Sequence, residues 1–110
     1  MSGYYDLYRS TNQQFYFNLT AGNNEKILMG ELYTQKQSAL DGIASMKVNS
    51  IYDSRYKRKI STRGFPYFVL TAANGEPLGT SEEYSSTAAM EHSINVVKQL
   101  APTAVLRDHT

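Results

Sequence analysis

The stretches Tyr16-Phe17-Asn18-Leu19-Thr20-Ala21-Gly22-Asn23 and Tyr67-Phe68-Val69-Leu70-Thr71-Ala72-Ala73-Asn74 stand 51 residues apart, and their reading decides the fold. Both alternate. In the first, Phe15, Phe17, Leu19 and Ala21 point one way, and Gln14, Tyr16, Asn18 and Thr20 the other. In the second, Pro66, Phe68, Leu70 and Ala72 oppose Phe65, Tyr67, Val69 and Thr71. A period of two with one apolar face marks a half-buried strand of an antiparallel sheet. Extended without a gap, the same offset aligns 5–50 with 56–101 and gives 14 identities in 46 positions. Ordinary residue usage gives roughly one in sixteen. The chain is an internal duplication.

Each copy can therefore be read against the other. Gly22-Asn23-Asn24-Glu25 and Ala73-Asn74-Gly75-Glu76 follow the two strands, and their Asn-Asn and Asn-Gly pairs suit the positive φ of a tight hairpin. A further strand is predicted at about 26–30 and 77–81, and an earlier one at about 4–9 and 55–60. The period then lengthens to nearly four. Ala39, Ile43 and Met46 form one helical stripe, and Met90, Ile94 and Val97 repeat it in register. Thr34 with Gln37 reads as a capping box opening the first helix. Ser85 or Ser86 caps the second, and Pro102 follows its end. Gly42 and Ser93 occupy matching positions beside the stripe. The glycine costs its helix about 1 kcal/mol and is expected to let the backbone approach the sheet.

These elements predict an α+β domain spanning 1–110, built of two β-β-β-α repeats at about 4–50 and 55–101. Related by a pseudo-two-fold axis, the repeats would merge into one antiparallel sheet with both helices packed on one face. The tail, 102–110, contributes one more short strand from Thr103-Ala104-Val105-Leu106-Arg107, closing an edge. A chain of 110 residues is large enough for one core without staples, and it has no cysteine to form any. Its 41% hydrophobic content argues against disorder, and a net charge of +1 removes the basic field of a dedicated duplex-DNA binder. The longest apolar run, Tyr67-Phe68-Val69-Leu70, is far short of the ~20 residues that span a bilayer. With no basic and apolar leader at the amino end, the expectation is a cytoplasmic protein without a membrane partner.

The sequence resembles the YegP-like family of small bacterial proteins. The resemblance rests on the two stretches quoted first, on Leu78-Gly79-Thr80-Ser81-Glu82-Glu83-Tyr84-Ser85-Ser86, and on Ala101-Pro102. It covers nearly the whole chain, and the second repeat is the closer match. The first repeat departs from the pattern at Leu28-Met29-Gly30-Glu31. What the resemblance implies is architectural: tandem units of this kind, with single-unit relatives that pair as dimers. A double-unit chain then looks like such a dimer joined covalently, a monomer that mimics a pair. The family supplies no activity, cofactor or catalytic residue.

The residues themselves point to no catalytic set. Nucleophilic catalysis needs a positioned hydroxyl or thiol with a base in reach, and no Gly-x-Ser-x-Gly elbow occurs. His92 falls on the polar side of the second helix and reads as a solvated residue, and His109, beside the carboxyl terminus, as a mobile one. No metal-ligand spacing and no phosphate loop is found, so neither metal nor cofactor is expected. The duplicated acids Glu25/Glu76 and Glu31/Glu82 would converge across a two-fold axis as a carboxylate pair, although a polar residue after a hairpin turn needs no such role. Tyr33 and Tyr84 read as staples packing the helix starts. The remaining feature is a possible binding surface of Tyr16, Tyr67, Lys57, Arg58 and Lys59. Tyrosines on a sheet can stack bases while flanking cations take phosphates. Lysines on a strand also discourage edge pairing, and tyrosine is ordinary on a half-wet sheet face. The reading that follows is a non-enzymatic cytoplasmic binding or protein-interaction module, with weak single-stranded nucleic-acid binding as the alternative and a small-molecule or enzymatic role at the repeat interface, using the duplicated glutamates, ranked last.

Overall fold

The structure, a computed structural model, describes residues 2–110. In chain order it comprises β1 (Gly3–Arg9), β2 (Phe15–Ala21), β3 (Lys26–Gly30), α1 (Lys36–Asn49), a 3-10 turn at Asp53–Arg55 and β4 (Tyr56–Ile60). Then come β5 (Pro66–Thr71), β6 (Pro77–Thr80), α2 (Thr87–Leu100) and β7 (Val105–Asp108). The strands form one sheet in the order β4-β5-β6-β3-β2-β1-β7. The hairpin turns carry their left-handed residues at matching positions, Gln13 and Gly64 before β2 and β5, Asn24 and Gly75 after them. The register slips by one residue between Leu19 and Thr20 and again between Leu70 and Thr71. Local sequence has built the same hairpin twice.

The two halves join along β3 and β6, antiparallel, with Met29 opposite Thr80 and Gly30 opposite Gly79. Met29 and Thr80 are the same position in the two repeats. One core results. Alternate strand residues Leu7, Phe17, Leu19, Leu28, Phe68 and Leu70 are buried with Ala39, Ile43 and Met46 of α1 and Met90, Ile94 and Val97 of α2. Neither helix is long and apolar enough to cross a membrane.

The sheet is mixed, which corrects the expectation of an antiparallel one. β7 runs parallel to β1, with Tyr4 opposite Val105 and Asp6 opposite Arg107. Direction is set where α2 ends. The buried Tyr5 hydroxyl donates to the Ala101 carbonyl at 2.6 Å and holds the helix terminus beside the start of β1. A strand leaving that point lies along β1 only in the same sense. Tyr56 does the same for the other helix, donating to Ser50 at 2.6 Å. Both acceptors are terminal helix carbonyls that lack a helical donor, and burial raises the pKa of both phenols.

Two local expectations also change. α1 starts at Lys36 with Gln35 as N-cap and no side-chain cap, so Thr34 and Gln37 form no capping box, and the Gln37 amide donates to Asp41 Oδ1 at 3.0 Å instead. α2 is capped by Ser86, whose hydroxyl accepts from the Ala89 amide at 3.1 Å. Without a cap, α1 depends on its buried stripe. Gly42 makes room for side chains rather than for the sheet backbone: a Cβ there would stand 2.5 Å from the Tyr33 hydroxyl and 3.2 Å from Phe17.

Gly30 has no such latitude. A Cβ at this seam position would stand 2.5 Å from the Phe17 carbonyl oxygen, a backbone atom of the neighbouring strand. Gly30→Ala is expected to destabilise the fold by roughly 1–3 kcal/mol, the usual cost of overpacking. Urea unfolding checks it, with a lowered midpoint expected at unchanged slope.

Candidate functional site

On the sheet face opposite the core, β4 presents Lys57 and Lys59, while Tyr56, which opens the strand, is buried. Lys59 lies across from Tyr67 and Lys57 across from Val69, so these two lysines and Tyr67 share one patch. Arg58 is turned the other way. Its Nε reaches Glu91 Oε2 on α2 at 2.6 Å, and its Nη2 reaches Asp53 Oδ1 at 2.9 Å, where Lys98 also arrives at 2.9 Å. Hydrogen bonds from Arg58 and Lys98 hold Asp53 down at about 2, and Arg58 likewise lowers the pKa of Glu91. Tyr16 stands on β2, three strand spacings from β5, or about 14 Å. The structure gathers Lys57, Lys59 and Tyr67 and leaves Arg58 and Tyr16 apart from them.

A denser cluster surrounds Tyr16. Asp6, on β1 and only 4% exposed, receives Arg107 of β7 in a bidentate pair at 2.6 and 2.9 Å. His109 Nε2 lies 2.9 Å from Asp6 Oδ1, and its ring stacks on Tyr8 at 4.8 Å. Tyr8 in turn stacks on Tyr16 at 5.4 Å, and the Arg107 guanidinium covers the Tyr4 ring at 3.8 Å. His109 is therefore fixed rather than mobile, and its backbone amide adds a bond to the Leu7 carbonyl at 2.8 Å. Arg107 draws the Asp6 carboxyl well below the ordinary aspartate range, outweighing desolvation, with His109 and Thr20 assisting. Both carboxylate oxygens are occupied, which makes the group a clamp for β7. The repeat comparison concealed it, because the positions matching Tyr4, Asp6 and Tyr8 are Arg55, Lys57 and Lys59.

The duplicated glutamates do not converge. With Met29 opposite Thr80 in an antiparallel seam, Glu31 and Glu82 are carried to opposite ends of it. Glu25 and Glu76 go to separate clefts, each between a hairpin of one repeat and the helix of the other. The first cleft, about 640 Å³, sets Ala21, Glu25 and Ile27 against Tyr84, His92 and Val96. The second, about 500 Å³, sets Ala72, Glu76 and Leu78 against Tyr33, Asp41 and Ser45, with Glu31 also in its lining. Each of these residues matches its counterpart at the 51-residue offset, Glu31 excepted. His92 is exposed, as a solvated helix residue would be, and it lines the first cleft. Tyr33 and Tyr84 are half-buried and stack on Phe17 and Phe68 at 6.3 and 6.4 Å. Tyr84 also donates to Ser93 Oγ at 2.6 Å. Among the described residues no lysine or arginine lines either cleft, and no group of three metal-ligating side chains occurs.

The clamp predicts a pH response. Asp6 titrates below its unfolded value, so its stabilisation is complete above about pH 4 and fades as pH falls toward the folded value. Asp108, lowered by Lys36 at 2.7 Å and by Thr110, adds a contribution of the same sign. Protection factors of the amides across 105–109, with exchange corrected for its intrinsic pH dependence, should hold from pH 7 to about 4 and fall below that. Asp6→Asn should loosen the same amides already at neutral pH, and leave those of β5 and β6 protected.

Comparison with known proteins gives a consistent relationship. The family model described as a domain of unknown function, DUF1508, matches residues 10–56 and again 61–108. The chain is 46% identical to a UPF0339 protein of Shewanella oneidensis over 110 residues, all of both chains. It is 42% identical to the UPF0339 protein YegP of Escherichia coli, also over the full length of both. The solution NMR structure of the Shewanella oneidensis protein superposes with a TM-score of 0.92, covering 98% of this chain and 92% of that one. The NMR structure of yegP from E. coli, titled a protein of unknown function, gives 0.94 over 100% and 95%.

Proposed function

The chain belongs to the DUF1508 family, and on that premise we propose that it is a non-enzymatic cytoplasmic binding module whose ligand sites are its two inter-repeat clefts. The observation that carries this reading is the position-by-position match of the cleft linings, each drawing its hairpin from one repeat and its helix from the other. In the proposed arrangement a pseudo-two-fold axis passes through the β3–β6 seam, with both helices on one face of the sheet. The pairing of Met29 with Thr80, one position in two copies, supports it. A monomer is then sufficient, because duplication supplies both sides of each cleft within one chain.

The linings indicate the ligand's chemistry. Clefts of this size suit small molecules, which such sites hold by apolar contact and a few placed polar groups. Ala21, Ile27, Ala89 and Val96 give the first an apolar lining, and Glu25 and His92 add polar groups to it. The second carries Glu31, Asp41 and Glu76 and no cation. A ligand with a short apolar body and an ammonium end satisfies both parts. The Tyr84 and Ser93 hydroxyls are bonded to each other, and Asp6 and His109 are engaged with Arg107 and Tyr8, which favours binding over catalysis. The adjacency of Lys59 and Tyr67 favours single-stranded nucleic acid as a second reading.

Amide-shift titration separates the two. Hexylamine should move the amides of Glu25, Ile27, His92 and Val96, hexanoate should not, and Glu25→Gln should abolish the first-cleft response. An oligothymidylate that instead moves Lys57, Lys59 and Tyr67, more strongly at low salt, would replace the cleft reading with the nucleic-acid one. Equal responses to the amine and the acid would refute the proposed chemistry.

A further inference from the structure

The two ends of the sheet are not equally finished. At one end β1 is covered by β7, the chain's own last strand. At the other, β4 pairs with β5 on one side and, among the described residues, with no strand on its outer side. β1 and β4 are the same strand of the two repeats, with Tyr5 and Tyr56 as matching buried anchors. β7 therefore shows how a strand docks on this edge, and β4 is the edge that lacks one. On β1 the docked strand runs parallel, the His109 amide bonds the Leu7 carbonyl, and Arg107 meets Asp6. The position matching Leu7 is Arg58, and the position matching Asp6 is Lys57. The template is retained and its charge is inverted.

We propose that the outer edge of β4 is a docking site for an extended acidic segment of a partner protein, which adds to the sheet as a parallel strand in the manner of β7. Charge selects the occupant. Lys57 and Lys59 take part in none of the ion pairs among the described residues, so carboxylates at alternate positions of an added strand face two uncommitted ammonium groups. Two copies of this chain meeting through β4 would oppose lysine to lysine, which disfavours self-pairing. Apolar contact is available on the other side of the strand. Ile60 is 68% exposed, and with Pro66 and Met90 it lines a groove of about 230 Å³, where the valine of an alternating segment would rest. Main-chain bonds supply the affinity and alternate side chains the specificity, as in strand addition generally.

The test uses the full chain labelled with nitrogen-15 and two capped eight-residue peptides, one alternating valine with glutamate and one alternating valine with lysine. The glutamate peptide should shift the amides of 56–60, slow their exchange, give cross-peaks to Arg58 in parallel register, and weaken with salt. The lysine peptide should do none of this. The double variant Lys57→Glu with Lys59→Glu should weaken the glutamate peptide roughly tenfold and gain the lysine peptide, as expected when two cross-strand pairs change sign. Its unchanged spectrum elsewhere in the sheet would establish that it folds. Unmoved β4 amides at millimolar peptide, equal binding of both peptides, or shifts centred on β7 or the clefts would overturn the proposal. An oligothymidylate that occupies Lys57 and Lys59 while the acidic peptide does not would also overturn it. The amine response of the clefts is read independently at Ile27 and Val96, so either idea can fail alone.

Discussion

The antiparallel pairing of β3 with β6 is the constraint on which the rest of this protein depends. Each repeat brings an amphipathic three-stranded piece and a helix whose apolar stripe cannot be buried by that piece alone. Joined at Met29 and Thr80, the halves share one core that includes Phe17 and Leu19 from one repeat and Phe68 and Leu70 from the other. The seam tolerates little bulk. Gly30 and Gly79 face each other across it, and a Cβ at Gly79 would stand 2.9 Å from the Met46 terminal methyl, a flexible neighbour, whereas Gly30 abuts backbone. The same pairing carries each hairpin to the opposite helix, and in this way it creates the clefts.

Duplication preserved the scaffold and released the surface. Inside, Tyr5 and Tyr56 make the same bond of the same length to the ends of the two helices, and Lys47 and Lys98 sit over their rings at the same 5.6 Å. Outside, Asp6 has become Lys57. A bidentate guanidinium–carboxylate pair combines charge with planar fit, so Arg107 has one suitable strand to join. Chain course points the same way: α2 ends beside β1, where Tyr5 holds the Ala101 carbonyl, and the Asp6–Arg107 pair then fastens β7 there while β4 stays open.

The clefts diverged more subtly. In the second repeat Ser93 offers a hydroxyl that Tyr84 bonds at 2.6 Å. In the first, Gly42 stands at that position, and the Tyr33 ring moves into the space a side chain would fill. Burial raises the pKa of both phenols, and the Ser93 bond partly offsets this for Tyr84. The glycine thus reports a close side-chain approach, which helix periodicity places beside the buried stripe without saying what fills the gap.

By itself the sequence determined the repeat, the strands and helices, and the strand faces and helical stripes that supply much of the core. These are short-range properties, written in periods of two and nearly four and checked by a second copy. It also placed the hairpin turns at Asn24 and Gly75, because a positive φ leaves a local signature. Only the tertiary structure decided the strand order, the parallel course of β7, the meeting of Asp6 with Arg107, and the separation of Arg58 and Tyr16 from the Lys59 patch. Asp6 and Arg107 are 101 residues apart, and contact at that distance leaves no period in either segment. Comparing the repeats masked it further, since functional difference between two copies lies where they disagree, and an alignment draws attention to where they agree.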